Sequence, residues 1–156
     1  APPDIQDQYE TEIKLFFSVL RQHDAEFGYR VAHEAARFLH FYKILGGYAD
    51  GDITWFNTAF DAIIVQKLLP KLHGSRSRLE GLLWALAQAC GPDRGGESSE
   101  DTLKRCQMAG NAKDDAKYGL DSVQKSTLAL YPLSFDKVLR MWRKLARDQF
   151  TSFAEA

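Results

Sequence analysis

Leu133-Ser134-Phe135-Asp136-Lys137-Val138-Leu139-Arg140-Met141-Trp142-Arg143-Lys144-Leu145-Ala146-Arg147 carries the periodicity that decides the fold. Phe135, Val138, Leu139, Trp142 and Leu145 recur at steps of three, one, three and three. That spacing draws one apolar stripe on a helix of 3.6 residues per turn. Arg140, Arg143, Lys144 and Arg147 fall on the other faces. Ser134 is expected as the N-cap, with Asp136 favourably placed in the first turn. The tail Phe150-Thr151-Ser152-Phe153 is apolar enough to dock on the body.

The same reading extends upstream. From about Asp7 to Gln22, a stripe of Tyr9, Ile13, Phe16, Phe17 and Leu20 predicts a first helix, stopped before Gly28. From Tyr29 to Leu45, Val31, Ala35, Phe38, Leu39 and Tyr42 predict a second, ended by Gly46-Gly47. Asp52 is the expected N-cap of a third helix carrying Phe56, Phe60, Ile63, Ile64 and Leu68. Pro70 kinks or stops it, and His73-Gly74 completes the stop. Ser75 is expected to cap a fourth helix, with Leu79, Leu82, Leu83 and Leu86 on one face and Trp84 beside it, closed by Gly91-Pro92. Residues Thr102 to Gly119 are weakly patterned and suggest one or two short helices. Ile63-Ile64-Val65 is β-branched, but its flanks keep helical spacing, so no strand is expected. The expected fold is all-α: a helical bundle of about five main helices. A mobile Gly/Ser/acidic loop is expected near 91–101, where no apolar residue offers an anchor.

The totals suit such a domain. A chain of 156 residues buries enough surface to build a core without metal or disulfide staples. Hydrophobic residues at 45% and charged residues at 26% are globular, not disordered, values. A net charge of −1 lacks the basic surplus of a dedicated nucleic-acid binder. Cys90 and Cys106 form no CxxC pair, so they read as free thiols in a reducing compartment and not as a zinc site. No apolar run approaches the ~20 residues of a membrane span, and no signal-peptide pattern is present. A cytoplasmic location, with no membrane partner, is expected. The sequence starts Ala1-Pro2-Pro3 without an initiator Met, as a processed chain or a piece of a larger one would.

The chain offers little chemistry. His23, His33, His40 and His73 form no HExxH pair and read as solvated histidines. There is neither a GxxxxGK[ST] loop nor a GxGxxG loop. Gly46-Gly47 and Gly95-Gly96 read as a helix stop and a flexible loop. No catalytic residue, no metal site and no cofactor of its own are therefore expected for this chain. Two basic features remain. Arg30 lies in the first turn of the second helix, where a cation opposes the helix dipole at a cost of a few tenths of a kcal/mol. It is either retained by chance or placed to reach an anion. Lys71, His73, Arg76 and Arg78 surround the Gly74 turn. They are either solvated helix-end charges or a contact for phosphate or an acidic partner surface.

Phe27-Gly28-Tyr29-Arg30-Val31, followed by Glu34-Ala35-Ala36-Arg37-Phe38-Leu39, resembles the sensor-2 helix of McrB-like AAA+ NTPases. The run Gln66-Lys67-Leu68-Leu69-Pro70-Lys71-Leu72-His73-Gly74-Ser75-Arg76 resembles the end of the lid in the same proteins. Tyr131-Pro132-Leu133-Ser134, Lys137-Val138-Leu139-Arg140-Met141 and Phe150-Thr151-Ser152-Phe153 resemble the C-terminus of one bacterial branch of them. Gly91 to Leu130 has no such counterpart.

The resemblance implies a lid over 1–74 and a C-terminal helical extension over 75–156 packing on it as one unit. It implies a nucleotide-sensing role for Arg30, while Lys71, Arg76 and Arg78 stay possible phosphate or partner contacts on the charge of their turn alone. The implied partners are the AAA+ core domain of the same polypeptide, neighbouring ring subunits, and DNA reached through the parent protein. GTP or ATP with Mg²⁺ would belong to the intact protein, a restriction or defence motor. Two other classes stay open. One is a stand-alone helical adaptor or nucleic-acid-binding domain using the basic turn at 71–78 and the last helix. The other is a small helical enzyme with an unrecognised site.

Overall fold

A computed structural model describes residues 5–25, 28–94, 97–109 and 129–156. Six α-helices dominate it: α1 (Ile5–Gln22), α2 (Tyr29–Gly46), α3 (Phe56–Ile63), α4 (Arg76–Cys90), α5 (Ser99–Ala109) and α6 (Pro132–Asp148). The all-α expectation holds, with one addition. Two three-residue strands, β1 (His73–Ser75) and β2 (Phe150–Ser152), form a small antiparallel sheet. His73 faces Ser152, Gly74 faces Thr151 and Ser75 faces Phe150. No run of alternation announces strands this short. The tail docks as expected, but the residue it buries is Thr151; Phe153 is half-buried and Phe150 stays exposed.

α6 buries Phe135, Val138, Leu139, Trp142 and Leu145, as the stripe requires, and Met141 with them. It packs chiefly on α4, whose Leu79, Leu82, Leu83 and Leu86 are all buried. The start of α6 differs from the expectation. Tyr131 is the N-cap, and Pro132 opens the helix, where its missing N–H costs nothing. Ser134 lies inside the first turn. The capping acceptor comes instead from α3: the Asp61 carboxylate accepts from the backbone N–H of Leu133 at 2.9 Å and of Ser134 at 2.8 Å. It also accepts from the Ser134 hydroxyl at 2.5 Å.

Two other expected caps are revised. α3 begins at Phe56, not directly after Asp52. The Asp52 carboxylate accepts from the backbone N–H and hydroxyl of Thr54 and so closes the preceding turn. Ser75 does occupy the N-cap position of α4, but its hydroxyl makes no capping bond and meets that of Ser77 at 3.1 Å. The end of α3 follows from Pro70. The helix widens into a π turn over Ile64–Leu68, then tightens into a 3₁₀ turn over Leu69–Lys71. Such departures accommodate a residue that cannot donate its N–H. Gly74 follows at φ +147°, a conformation essentially reserved for glycine.

The stretch expected as a mobile loop at 91–101 is tied down at both of its described ends. Pro92–Arg94 forms a 3₁₀ turn, and the Arg94 side chain is buried. α5 already begins at Ser99. A polar anchor, not an apolar one, fixes this segment. The weakly patterned region is helical through Ala109, while residues 110–119 lie outside the described residues.

One continuous core joins residues on both sides of the Gly74–Ser75 junction. Phe16, Phe60 and Tyr131 meet at its centre, with ring centroids 5.4 to 6.0 Å apart. Such tilted packing suits the ring quadrupoles.

Candidate functional site

α2 is the least embedded of the long helices. Only Val31, Ala35 and Leu39 are buried along it. Arg30, Arg37, Phe41, Ile44 and Leu45 recur along the opposite face, and all five are exposed. Tyr29, at the helix start, is 96% exposed, and Leu45 is 85% exposed. Arg37 carries its guanidinium 6.0 Å from the Phe41 ring centre. Exposed apolar residues scattered singly are ordinary, but a row on one helix face marks a contact surface.

Arg30 stands at the leading end of this row. Gly28 is the N-cap and offers no side chain to cover the first-turn N–H groups. No acidic residue occupies the first turn. The Arg30 side chain is 91% exposed and, among the described residues, is held by Glu34 alone, from Nε to Oε1 at 3.2 Å. Lys67, on the π turn, reaches the other oxygen of Glu34 at 3.6 Å. Partial desolvation works to raise the Glu34 carboxyl, but the Arg30 hydrogen bond and the Lys67 charge hold it below the usual range. Phe27, which precedes this group in the sequence motif, lies outside the described residues.

The basic turn divides in two. Arg76 turns to Glu80 at 3.6 Å. Lys71 and Arg78 instead line a cavity of about 190 Å³ together with His23, Asp24 and His73. Leu72, Leu79 and Leu82 form its apolar floor. His23 thus sits in a wall of mixed charge: burial lowers its pKa, and Asp24 beside it partly opposes that. The expectation of four solvated histidines holds for His33, His40 and His73 by exposure, while His23 is half-buried.

A further polar group has no counterpart in the sequence motifs. Glu12 of α1 and Arg94 are both buried and pair through two hydrogen bonds, at 2.6 and 3.0 Å. Arg94 also donates to the Ala89 carbonyl at 3.2 Å, and the Tyr131 hydroxyl donates to Glu12. Burial, reinforced by the Glu12 charge, pushes the Tyr131 phenol well above its ordinary value. Glu12 sits among the apolar positions of α1, and that placement was the available signal. With both of its terminal nitrogens on the Glu12 carboxylate and one also on the Ala89 carbonyl, Arg94 works as a structural cross-link of α1 and α4.

Among the described residues no group of three or more His, Cys, Asp or Glu could hold a metal ion. Cys90 and Cys106 are buried free thiols, and burial pushes Cys106 up to about 11. Among the described residues no helix is long and apolar enough to cross a membrane.

Fold and surface define a helical module with one exposed cationic and apolar helix face. Residues 2–150 match the model of a family described as a domain of unknown function, DUF8727, and the chain belongs to that family. No curated protein matches the chain, and no solved structure does.

Proposed function

We propose that this chain is the lid and C-terminal helical module of a McrB-like AAA+ NTPase, acting in the cytoplasm. The lid would lay the outer face of α2 against the α/β core of the same polypeptide, with Arg30 sensing the nucleotide. One observation carries the reading: Arg30 heads a row of exposed residues, continued by Arg37, Phe41, Ile44 and Leu45, on one face of α2. A single-domain protein gains nothing from leaving that row uncovered, whereas a lid needs it to meet its core. Arg30 suits one charge-assisted contact with a phosphate, since its guanidinium is accessible and, among the described residues, Glu34 alone competes for it. It cannot hold a nucleotide by itself. The chain is therefore non-catalytic in isolation, and GTP or ATP with Mg²⁺ belongs to the core.

The nucleic-acid alternative draws less from the geometry. Several cations of α6 already face carboxylates: Arg140 meets Asp136 at 3.1 Å, and Lys144 and Arg147 both meet Asp148 at 3.0 Å.

The test has two parts. The reading frame that encodes this chain is expected to continue upstream of Ala1 into a domain with a Walker A loop. In that polypeptide, Arg30→Ala is expected to lower nucleotide hydrolysis at least tenfold with the helical circular dichroism unchanged. An upstream frame without such a loop, or wild-type hydrolysis in the variant, removes the proposal.

A further inference from the structure

We propose that the cavity between the end of α1 and the β1–α4 junction is a phosphate site, independent of Arg30 and of the lid reading. Four nitrogen-bearing side chains converge there from three parts of the chain. His23 comes from the turn after α1, Lys71 and His73 from the segment around β1, and Arg78 from the first turn of α4. Asp24 is the one carboxylate among the lining residues, and it lies against His23. Among the described residues Arg78 has no hydrogen-bond or ion-pair partner. Its stem lies over Gly74: a Cβ placed there would sit 3.4 Å from Arg78 Cδ. That is ordinary contact, so the positive φ of Gly74, and not space for Arg78, is what calls for glycine at the turn.

The start of α4 points the same way. Its first turn carries Arg76 and Arg78 and no acidic residue. Both cations oppose the positive end of the helix dipole, an arrangement that an anion at this place would offset. The Ser75 hydroxyl is turned to Ser77 and does not cover the first-turn N–H groups, of which the Arg76 N–H goes to the Gln149 carbonyl at 3.0 Å.

Size and charge choose the ligand. About 190 Å³ is below the roughly 300–1,000 Å³ of pockets that enclose drug-sized molecules. It suits one compact group. A guanidinium, an ammonium and two imidazoles surround a tetrahedral phosphate with donors from several sides, whereas a carboxylate presents its oxygens in one plane. The phosphate can be borne by a small molecule or by a nucleic-acid backbone, and the experiment separates these sources.

The 156-residue chain, labelled with ¹⁵N, is titrated with inorganic phosphate at constant ionic strength, with acetate as the control. Saturable shifts are expected in the amides of residues 73–79, with the His23 titration midpoint moving up as phosphate binds. The exposed double variant Lys71→Gln/Arg78→Gln is expected to keep the amide spectrum of the fold and weaken phosphate binding at least tenfold. A (dT)₁₂ oligonucleotide forms the second arm. Binding through the same residues at least tenfold tighter than phosphate assigns the group to a nucleic-acid backbone. Weaker binding assigns it to a small phosphorylated molecule. Either result upholds the site. No saturation by 20 mM phosphate, an equal response to acetate, or undiminished binding in the double variant overturns it.

Discussion

Arg94 sits in the least apolar stretch of the sequence, Gly91 to Asp101, yet it is one of the most buried charges described. Its partner Glu12 lies 82 residues earlier. Removing one member of a buried pair strands the other charge, which costs about 3–5 kcal/mol, whereas replacing both with apolar residues is often near neutral. Arg94→Met is accordingly expected to destabilise by about 3–5 kcal/mol in urea denaturation. The double variant Glu12→Leu/Arg94→Met should recover a large part of that loss. A single variant costing under 1 kcal/mol would show that the pair does not hold α1 to α4. The sequence hinted at Glu12, set among apolar positions of α1, but not at Arg94. Local composition around Arg94 is that of a loop, and only a distant carboxylate makes the residue structural. Arg30 is the opposite case. Its place in a first helical turn was readable from Gly28 and the following stripe, and the structure finds it there, exposed.

Asp61 is the clearest case among the elements. Periodicity located every long helix, because a buried stripe repeats and can be counted. Helix ends were read less well, since a cap depends on geometry that a neighbouring element can supply. Ser134 looked like a cap by type. The cap is Asp61, brought in from α3 by the packing of that helix on α6. Losing a capping side chain costs about 1–2 kcal/mol. Asp61→Ala is expected to fall at the upper end of that range, because two backbone N–H groups lose their acceptor together, while the Ser134 hydroxyl keeps the Asp61 carbonyl at 3.1 Å. Hydrogen exchange should localise the change, with the amides of Leu133 and Ser134 exchanging faster while mid-α6 stays protected. Ser134→Ala should cost less, since both backbone bonds to Asp61 survive. If Ser134→Ala proved the more damaging, the cap would belong to the serine after all. The strands β1 and β2 escaped notice for a related reason: three residues cannot display a period, and their partner lies at the far end of the sequence.

The whole molecule should be most stable near neutral to mildly alkaline pH. On the acid side, Glu97 is held down chiefly by the Arg105 hydrogen bond, and Asp148 is held at about 2 by Arg147 and Lys144. A depressed folded-state carboxyl contributes above its unfolded pKa, and that contribution disappears as pH falls through the folded value. His23, lowered by burial, follows the same sign as pH falls below the ordinary histidine value. On the alkaline side the sign reverses. Cys106 rises from 9.0 to about 11 by desolvation, so its contribution is complete below pH 9 and fades towards pH 11. Urea midpoints measured from pH 3 to 11 should therefore fall at both ends. Cys106→Ala should flatten the alkaline limb, though Cys90 and Tyr131, both pushed up by burial, keep part of it. An unchanged alkaline slope in that variant would mean that Cys106 does not titrate with folding. The sheet adds a matter of time. β1 pairs with a strand lying beyond α4, α5 and α6. At about 5–20 residues per second, a ribosome needs on the order of 4–15 s to make that interval. Until then the backbone of His73–Ser75 has no strand partner. The newborn chain can hold helices early, but the ribbon beside the basic cavity closes only after α6 and β2 have left the exit tunnel.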